Sequence, residues 1–245
     1  MGRAASGPRA LRSFCGSGSG LGLAIVRGLH ARGFDVVGIG RDEARLQEVP
    51  ELAERRVCDA RSLEDVDEIV KDLATDPDRS PLGCIVNLAG CITLKPAHLL
   101  SEKDWNETIA LKLTTAFCCV RSAGRHMKSG GSVVLVSTVA AGVGLPNHEA
   151  IAAAKAGVEG LALSAASTYA RFGIRVNVVA PGLTNTPLAA KIKDGKGLRD
   201  MLSQVFLDQF VHHPLMYFPA FYCLKEAVNG GELSTGLEKY RNNYK

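Results

Sequence analysis

The sequence predicts a three-layer α/β fold, a doubly wound parallel sheet with helices on both faces. Two observations lead there. From Phe34 onward, short apolar runs alternate with polar amphipathic helices, as parallel strands joined by helical crossovers do. A glycine-rich turn, CGSGSGLG at residues 15–22, also stands directly before an amphipathic helix carrying Leu21, Ala24, Ile25 and Leu29. The chain's 245 residues, 46% hydrophobic and 22% charged, suffice for a substantial core without metal or disulfide.

The elements follow in order. The opening strand, ALRSFC at 10–15, is the irregular one, because Arg12 and Ser13 interrupt what a buried parallel strand would fill with apolar residues. A strand at 34–40 (FDVVGIG), a helix at 42–49 and a strand at 55–59 (RRVCD) come next. A helix at 62–74 leads to the strand CIVNLAG at 84–90. Two long helices, Ser101–Met127 and Glu149–Arg171, flank SVVLVS and precede IRVNVVA. The reading divides the chain into a core at 1–190 and an atypical helical segment at 191–245.

Composition narrows the function. The net charge is +4 and the basic residues are scattered, which argues against nucleic acid as a partner. Seven cysteines form an odd set without paired metal-ligand spacing, so they read as reduced thiols of an intracellular protein, with no metal site expected. The first acidic residue is Asp35, and the start carries Arg3, Arg9 and Arg12. That resembles a short organelle-targeting leader without an apolar signal core. Met1-Gly2 with Ser6 also fits the myristoylation pattern. A frayed terminus is the favoured reading, with a cytoplasmic location expected or, failing that, a mitochondrial or peroxisomal one.

Chemistry enters at the glycine turn. Gly16, Ser19, Gly20, Leu21 and Gly22 allow a tight turn and bring helix N–H groups close to a pyrophosphate. Together with NLAG at 87–90, Lys155 and APG at 180–182, this ordered set resembles the short-chain dehydrogenase/reductase family over about residues 14–188. The resemblance implies an NAD(P)-binding Rossmann fold. It implies that Asp59 hydrogen-bonds the adenine and that Asn87, Ala89 and Gly90 support the cofactor's centre. Pro181, Gly182 and Thr186 would lie against the nicotinamide carboxamide. At the end of the second strand, Gly40 stands where an acid would bind the ribose 2′-hydroxyl, and Arg41 follows. A guanidinium there favours NADP over NAD.

The catalytic positions of the resemblance fall on Thr138, Ile151, Lys155 and Lys112, and only the lysine at 155 is retained. Ile151 takes the place of the proton-transferring tyrosine, and an alkyl chain cannot titrate. Thr138 keeps a hydroxyl able to donate to a carbonyl oxygen. Lys112 replaces an asparagine in a stripe with Trp105, Ile109, Ala116 and Phe117. Two readings of it stay open, a packed stem with its ammonium reaching solvent, or a role in the site. His148, one turn before Ile151, is the replacement acid if the helix already starts there.

The family's last strand is not recognised in the sequence. Residues 205–245 instead resemble a fragment of a small integral membrane protein family of peroxisomes and mitochondria. Asp208, His212, His213, Pro214 and Pro219 interrupt its apolar stretch, so it reads as a poor membrane span. Val158, Leu161 and Leu163 suggest apolar area for a homodimer or homotetramer. The expectation is an NADP-dependent oxidoreductase of a small carbonyl or alcohol; the alternatives are an inactive dinucleotide-binding protein or a fusion product.

Overall fold

The computed structural model describes residues 9–10, 14–15, 20–77, 81–182, 184 and 238. The chain divides into two compact units, Met1–Ala190 and Lys191–Lys245, and the described residues apart from Glu238 belong to the first. The expectations for Gly16, Ser19, Thr186, the last strand and the C-terminal segment concern residues outside those described.

Six parallel strands form the central sheet: β1 (Phe14–Cys15), β2 (Val37–Gly40), β3 (Glu54–Val57), β4 (Cys84–Asn87), β5 (Gly131–Val136) and β6 (Ile174–Val179). Their order is β3-β2-β1-β4-β5-β6, so the chain reverses its direction of winding between β1 and β4, where a crevice opens at the strands' carboxyl ends. Pairing is in parallel register, with Phe14 beside both Gly38 and Val86, and Val133 beside Val176. Among the described residues of the first strand region, Phe14–Cys15 joins this sheet and Arg9–Ala10 pairs with Phe34–Asp35, while Arg12 and Ser13 lie outside those described.

The alternation of strand side chains sorts two cores. Ile39, Ile85, Val133, Leu135, Ile174 and Val176 face one side. Over them lie α3 (Leu63–Thr75), α5 (Thr115–His126) and, after the short α6 (Ala140–Val143), α7 (Glu149–Tyr169). Val36, Cys84 and Val86 face the other side with Val26 and Leu46, which belong to α1 (Gly20–His30) and α2 (Glu43–Gln47). Cys84, Ile85 and Val86 thus point alternately to opposite faces, as a two-residue period requires.

Helix starts follow their capping residues. Asp42 accepts from the Arg45 N–H, Ser62 accepts from the Asp65 N–H, and Ser101 with Asp104 forms a reciprocal capping box, satisfying N–H groups that have no helical partner. The first long helix departs from the expected continuous run. It consists of α4 (Glu102–Ile109), a π-helical turn at Ala110–Thr114, and α5. The wider turn shifts the helical phase. Trp105 and Phe117 are therefore left exposed while Ala116 and Lys112 are buried, so the four do not share one stripe.

Val158 also departs from expectation. It is 1% exposed and belongs to the core, because its side of α7 packs on the sheet. Of the three residues offered as association surface, Leu161 is half-buried and Leu163 is 75% exposed.

Gly130 turns the chain into β5 with φ +75°, and a Cβ there would lie 2.8 Å from the Gly173 carbonyl oxygen. Gly130→Ala should lower unfolding free energy by about 1–3 kcal/mol in urea denaturation. An unchanged midpoint would contradict the strain assigned to this turn.

Candidate functional site

At the carboxyl ends of β2, β3 and β4 lies a cavity of about 740 Å³, lined among others by Gly40, Arg41, Asp59, Ala89, Gly90 and Cys91. Asp59 is fixed on its wall by Arg61, whose Nε donates to both carboxylate oxygens at 3.0 and 2.9 Å and whose Nη2 donates at 2.5 Å. These hydrogen bonds hold the Asp59 carboxyl below the usual range, and the Arg41 charge adds to the effect. Arg45 is paired with Asp42 at 3.1 Å. Among the described residues Arg41 has no carboxylate within ion-pair distance, so its exposed guanidinium remains available to an anion.

The turn after β4 is held from below. Asn87, 5% exposed, donates from Nδ2 to Thr115 Oγ1 at 2.9 Å and accepts the Ala89 N–H on Oδ1 at 3.0 Å. Thr115 in turn donates to the Leu111 carbonyl at 3.0 Å. A buried amide with partners at both ends keeps its orientation, which fixes the backbone of Ala89 and Gly90 on the cavity wall. The sequence placed Asn87 here but gave no sign of Thr115.

At the end of β5, Lys155 is 8% exposed and its ammonium donates to the Val136 carbonyl. Burial, reinforced by the charge of Lys112, lowers its pKa to about 8. Lys112 is 4% exposed and donates to the Cys91 carbonyl, with its pKa lowered by burial. Of its two sequence readings, the one in which its ammonium reaches solvent is therefore overturned: the π-helical turn aims it inward, toward the chain just after β4. Thr138 is half-buried, its Oγ1 accepting from the Ala140 N–H at 3.3 Å. Its neighbour Ser137, unremarked in the sequence, is buried and donates to Glu159 Oε1 at 2.6 Å, clamping α7 to β5. Pro181 stays close to this strand end, its carbonyl accepting from the Val139 N–H at 3.2 Å, while Gly182 is exposed.

Ile151 is buried at 7% exposure on α7, one turn before Lys155. The condition for His148 to share that face is not met. The helix starts at Glu149, and His148 caps it with φ −105° and ψ 10°. Its ring Nδ1 donates to the Pro146 carbonyl at 2.7 Å, a bond directed back into the preceding loop. Its place in the helical stripe is thereby lost.

A helix starting at Gly20 beside the central strands, a crevice at the switch point, an anchored NLAG turn and a buried lysine one turn after position 151 define a dinucleotide-fold oxidoreductase scaffold. The chain belongs to the short-chain dehydrogenase/reductase family. A family profile described as enoyl-(acyl carrier protein) reductase matches residues 16–213. The chain is 37% identical over 193 residues to a cis-4-hydroxycyclohexanecarboxylate dehydrogenase of Sinomonas cyclohexanicum, covering 71% of this chain and 73% of that one. It is 30% identical over 230 residues to a D-threitol dehydrogenase of Mycolicibacterium smegmatis, covering 89% and 88%. Among solved structures, a Beutenbergia cavernae protein assigned as an NAD(P) dependent gluconate 5-dehydrogenase, with bound NADP, superposes with a TM-score of 0.68. It is 30% identical, over 82% of this chain and 80% of that one.

The lowered Lys155 pKa has a signed consequence. An unfolded lysine binds its proton up to about 10.5 while the folded one releases it near 8, so wild type gains stability as pH rises through that window. The unfolding free energy of wild type relative to Lys155→Met should rise between about pH 7 and pH 10, by on the order of 2 kcal/mol. A difference flat with pH in denaturant titrations would show that the ammonium is not buried as described.

Proposed function

We propose that this protein binds NADP in the crevice and acts on a carbonyl or alcohol, with proton transfer as its weak step. The observation that carries the reading is the alignment of the cavity with the buried Lys155 along one sheet end, with Ile151 at the proton-donor position. The residues fit the group: the cavity has room for an adenosine, Arg41 is an uncommitted guanidinium beside it, and Gly90 presents backbone rather than side chain. The Beutenbergia cavernae neighbour's bound NADP supports the same cofactor.

When bound, the cofactor supplies the hydride. Asp59 accepts a hydrogen bond from the adenine, and Arg41 contacts the 2′-phosphate. Lys155 holds the nicotinamide ribose. Thr138 Oγ1 accepts from the Ala140 N–H, which leaves its own O–H to donate to the substrate oxygen. Its own proton stays with it.

The place from which a side chain would protonate that oxygen is filled by Ile151. General acid catalysis typically contributes about 10²–10⁴-fold, so turnover relies on water. This observation also favours a second reading, a dinucleotide-binding protein whose output is the bound state itself.

Titrating the full chain with NADPH and NADH should give saturable binding with NADPH the tighter. Arg41→Ala should weaken NADPH by roughly tenfold to a hundredfold, as loss of a charge-assisted contact does, and leave NADH nearly unchanged. Equal losses would remove Arg41 from the phosphate site, and no binding by a folded sample would overturn the cofactor reading.

A further inference from the structure

Two buried ammonium groups lie toward the crevice end of the sheet, and among the described residues no carboxylate pairs with either. Lys112 and Lys155 are 4% and 8% exposed. Each donates to a main-chain carbonyl, Cys91 after β4 and Val136 at the end of β5. Among the described residues neither is within ion-pair distance of a carboxylate. Lys155 feels the charge of Lys112, and the other ionisable side chain that acts on both is Cys91. Buried charges without counter-charge cost stability, so the pair is a standing source of positive potential in a dry place.

That place has a definite relation to the dinucleotide. The adenosine end is marked by Gly40, Arg41 and Asp59 at β2 and β3, and the phosphate turn lies between β1 and α1. A dinucleotide laid across the switch point therefore carries its other half over β4 and β5, onto the lysines. A Cβ at Gly90 would stand 3.6 Å from Lys112 Nζ, so only the thin backbone of the NLAG turn separates that ammonium from the cavity.

We infer that the Lys112–Lys155 pair makes this site select the reduced nicotinamide dinucleotide over the oxidised one. The inference rests on the cofactor reading above. The oxidised ring carries a positive charge and the reduced ring none, so an adjacent ammonium penalises only the oxidised form. At an effective dielectric of about 20, one such charge roughly 12 Å away changes the relative affinity by about tenfold, and a closer one by more. Lys155 alone would supply one share; Lys112 adds a second. By linkage the bound couple is shifted toward its reduced form by the same factor, so the protein's resting state is the NADPH complex.

The test is the ratio of dissociation constants, NADP⁺ over NADPH, measured by calorimetry on the full chain at neutral pH. The ratio should fall about tenfold in Lys112→Met and in Lys112→Gln, and should hold in Lys112→Arg, which keeps the charge. Wild type gives a second readout that needs no variant. Its ratio should fall as pH rises through about 8 and the Lys155 ammonium is lost, Lys112 and Cys91 being the ionisable side chains that face it. Equal ratios in wild type and Lys112→Met, or a pH-independent wild-type ratio, would overturn the inference while leaving cofactor binding intact. No binding of either form by a folded sample would overturn the cofactor reading and this inference together.

Discussion

Burial of two ammonium groups at the carboxyl end of a parallel sheet is the constraint around which this site is organised. The Val136 carbonyl at the end of β5 and the Cys91 carbonyl, four residues past the end of β4, accept hydrogen bonds from the two ammonium groups. The lysines could not be held there otherwise. Lys155 reaches Val136 because α7 is pinned to β5 by Ser137 and Glu159. Lys112 reaches the Cys91 carbonyl from the buried side of the π-helical turn. The same turn carries the Leu111 carbonyl to Thr115, and Thr115 sets Asn87, so the NLAG turn and the charge beneath it are parts of one arrangement.

What that arrangement can do is asymmetric. On the cavity side, Arg41, Asp59 and the lysines are the groups proposed to grip a dinucleotide. On the reacting side Thr138 offers a hydroxyl, while Ile151 fills the donor position with a buried alkyl chain and His148 is tied to Pro146. Under the proposed reading, a positive pair beside the nicotinamide and an alkyl chain at the donor position suit holding a reduced cofactor better than cycling it.

The fold was largely legible because it follows from periodicity. CIVN reads as a strand with both faces buried, and it is one; the caps at Asp42, Ser62 and Ser101 stand where side-chain oxygens precede apolar helices. The site was legible where a residue type alone implies chemistry, as with Asn87, Lys155 and Ile151. It was not legible where the outcome depends on helical phase or on partners far apart in sequence. Lys112 lies in a π-helical turn, for which the sequence carries no signal, and it is buried with Thr108 and Thr115. Val158 and Leu163 lie on one alanine-rich helix, and small residues all round leave its buried side poorly marked. The bond from Asn87 to Thr115 spans 28 residues, and nothing local announces it.

The central claim is that the crevice lacks a proton donor, not a cofactor site. Its most direct test is single-turnover hydride transfer from saturating NADPH to a panel of small carbonyls, comparing wild type with Ile151→Tyr. The account predicts slow or undetectable transfer by wild type and an increase of about 10²-fold or more in the variant, with NADPH affinity unchanged. Fast transfer by wild type, undiminished or unimproved by the tyrosine, would contradict it.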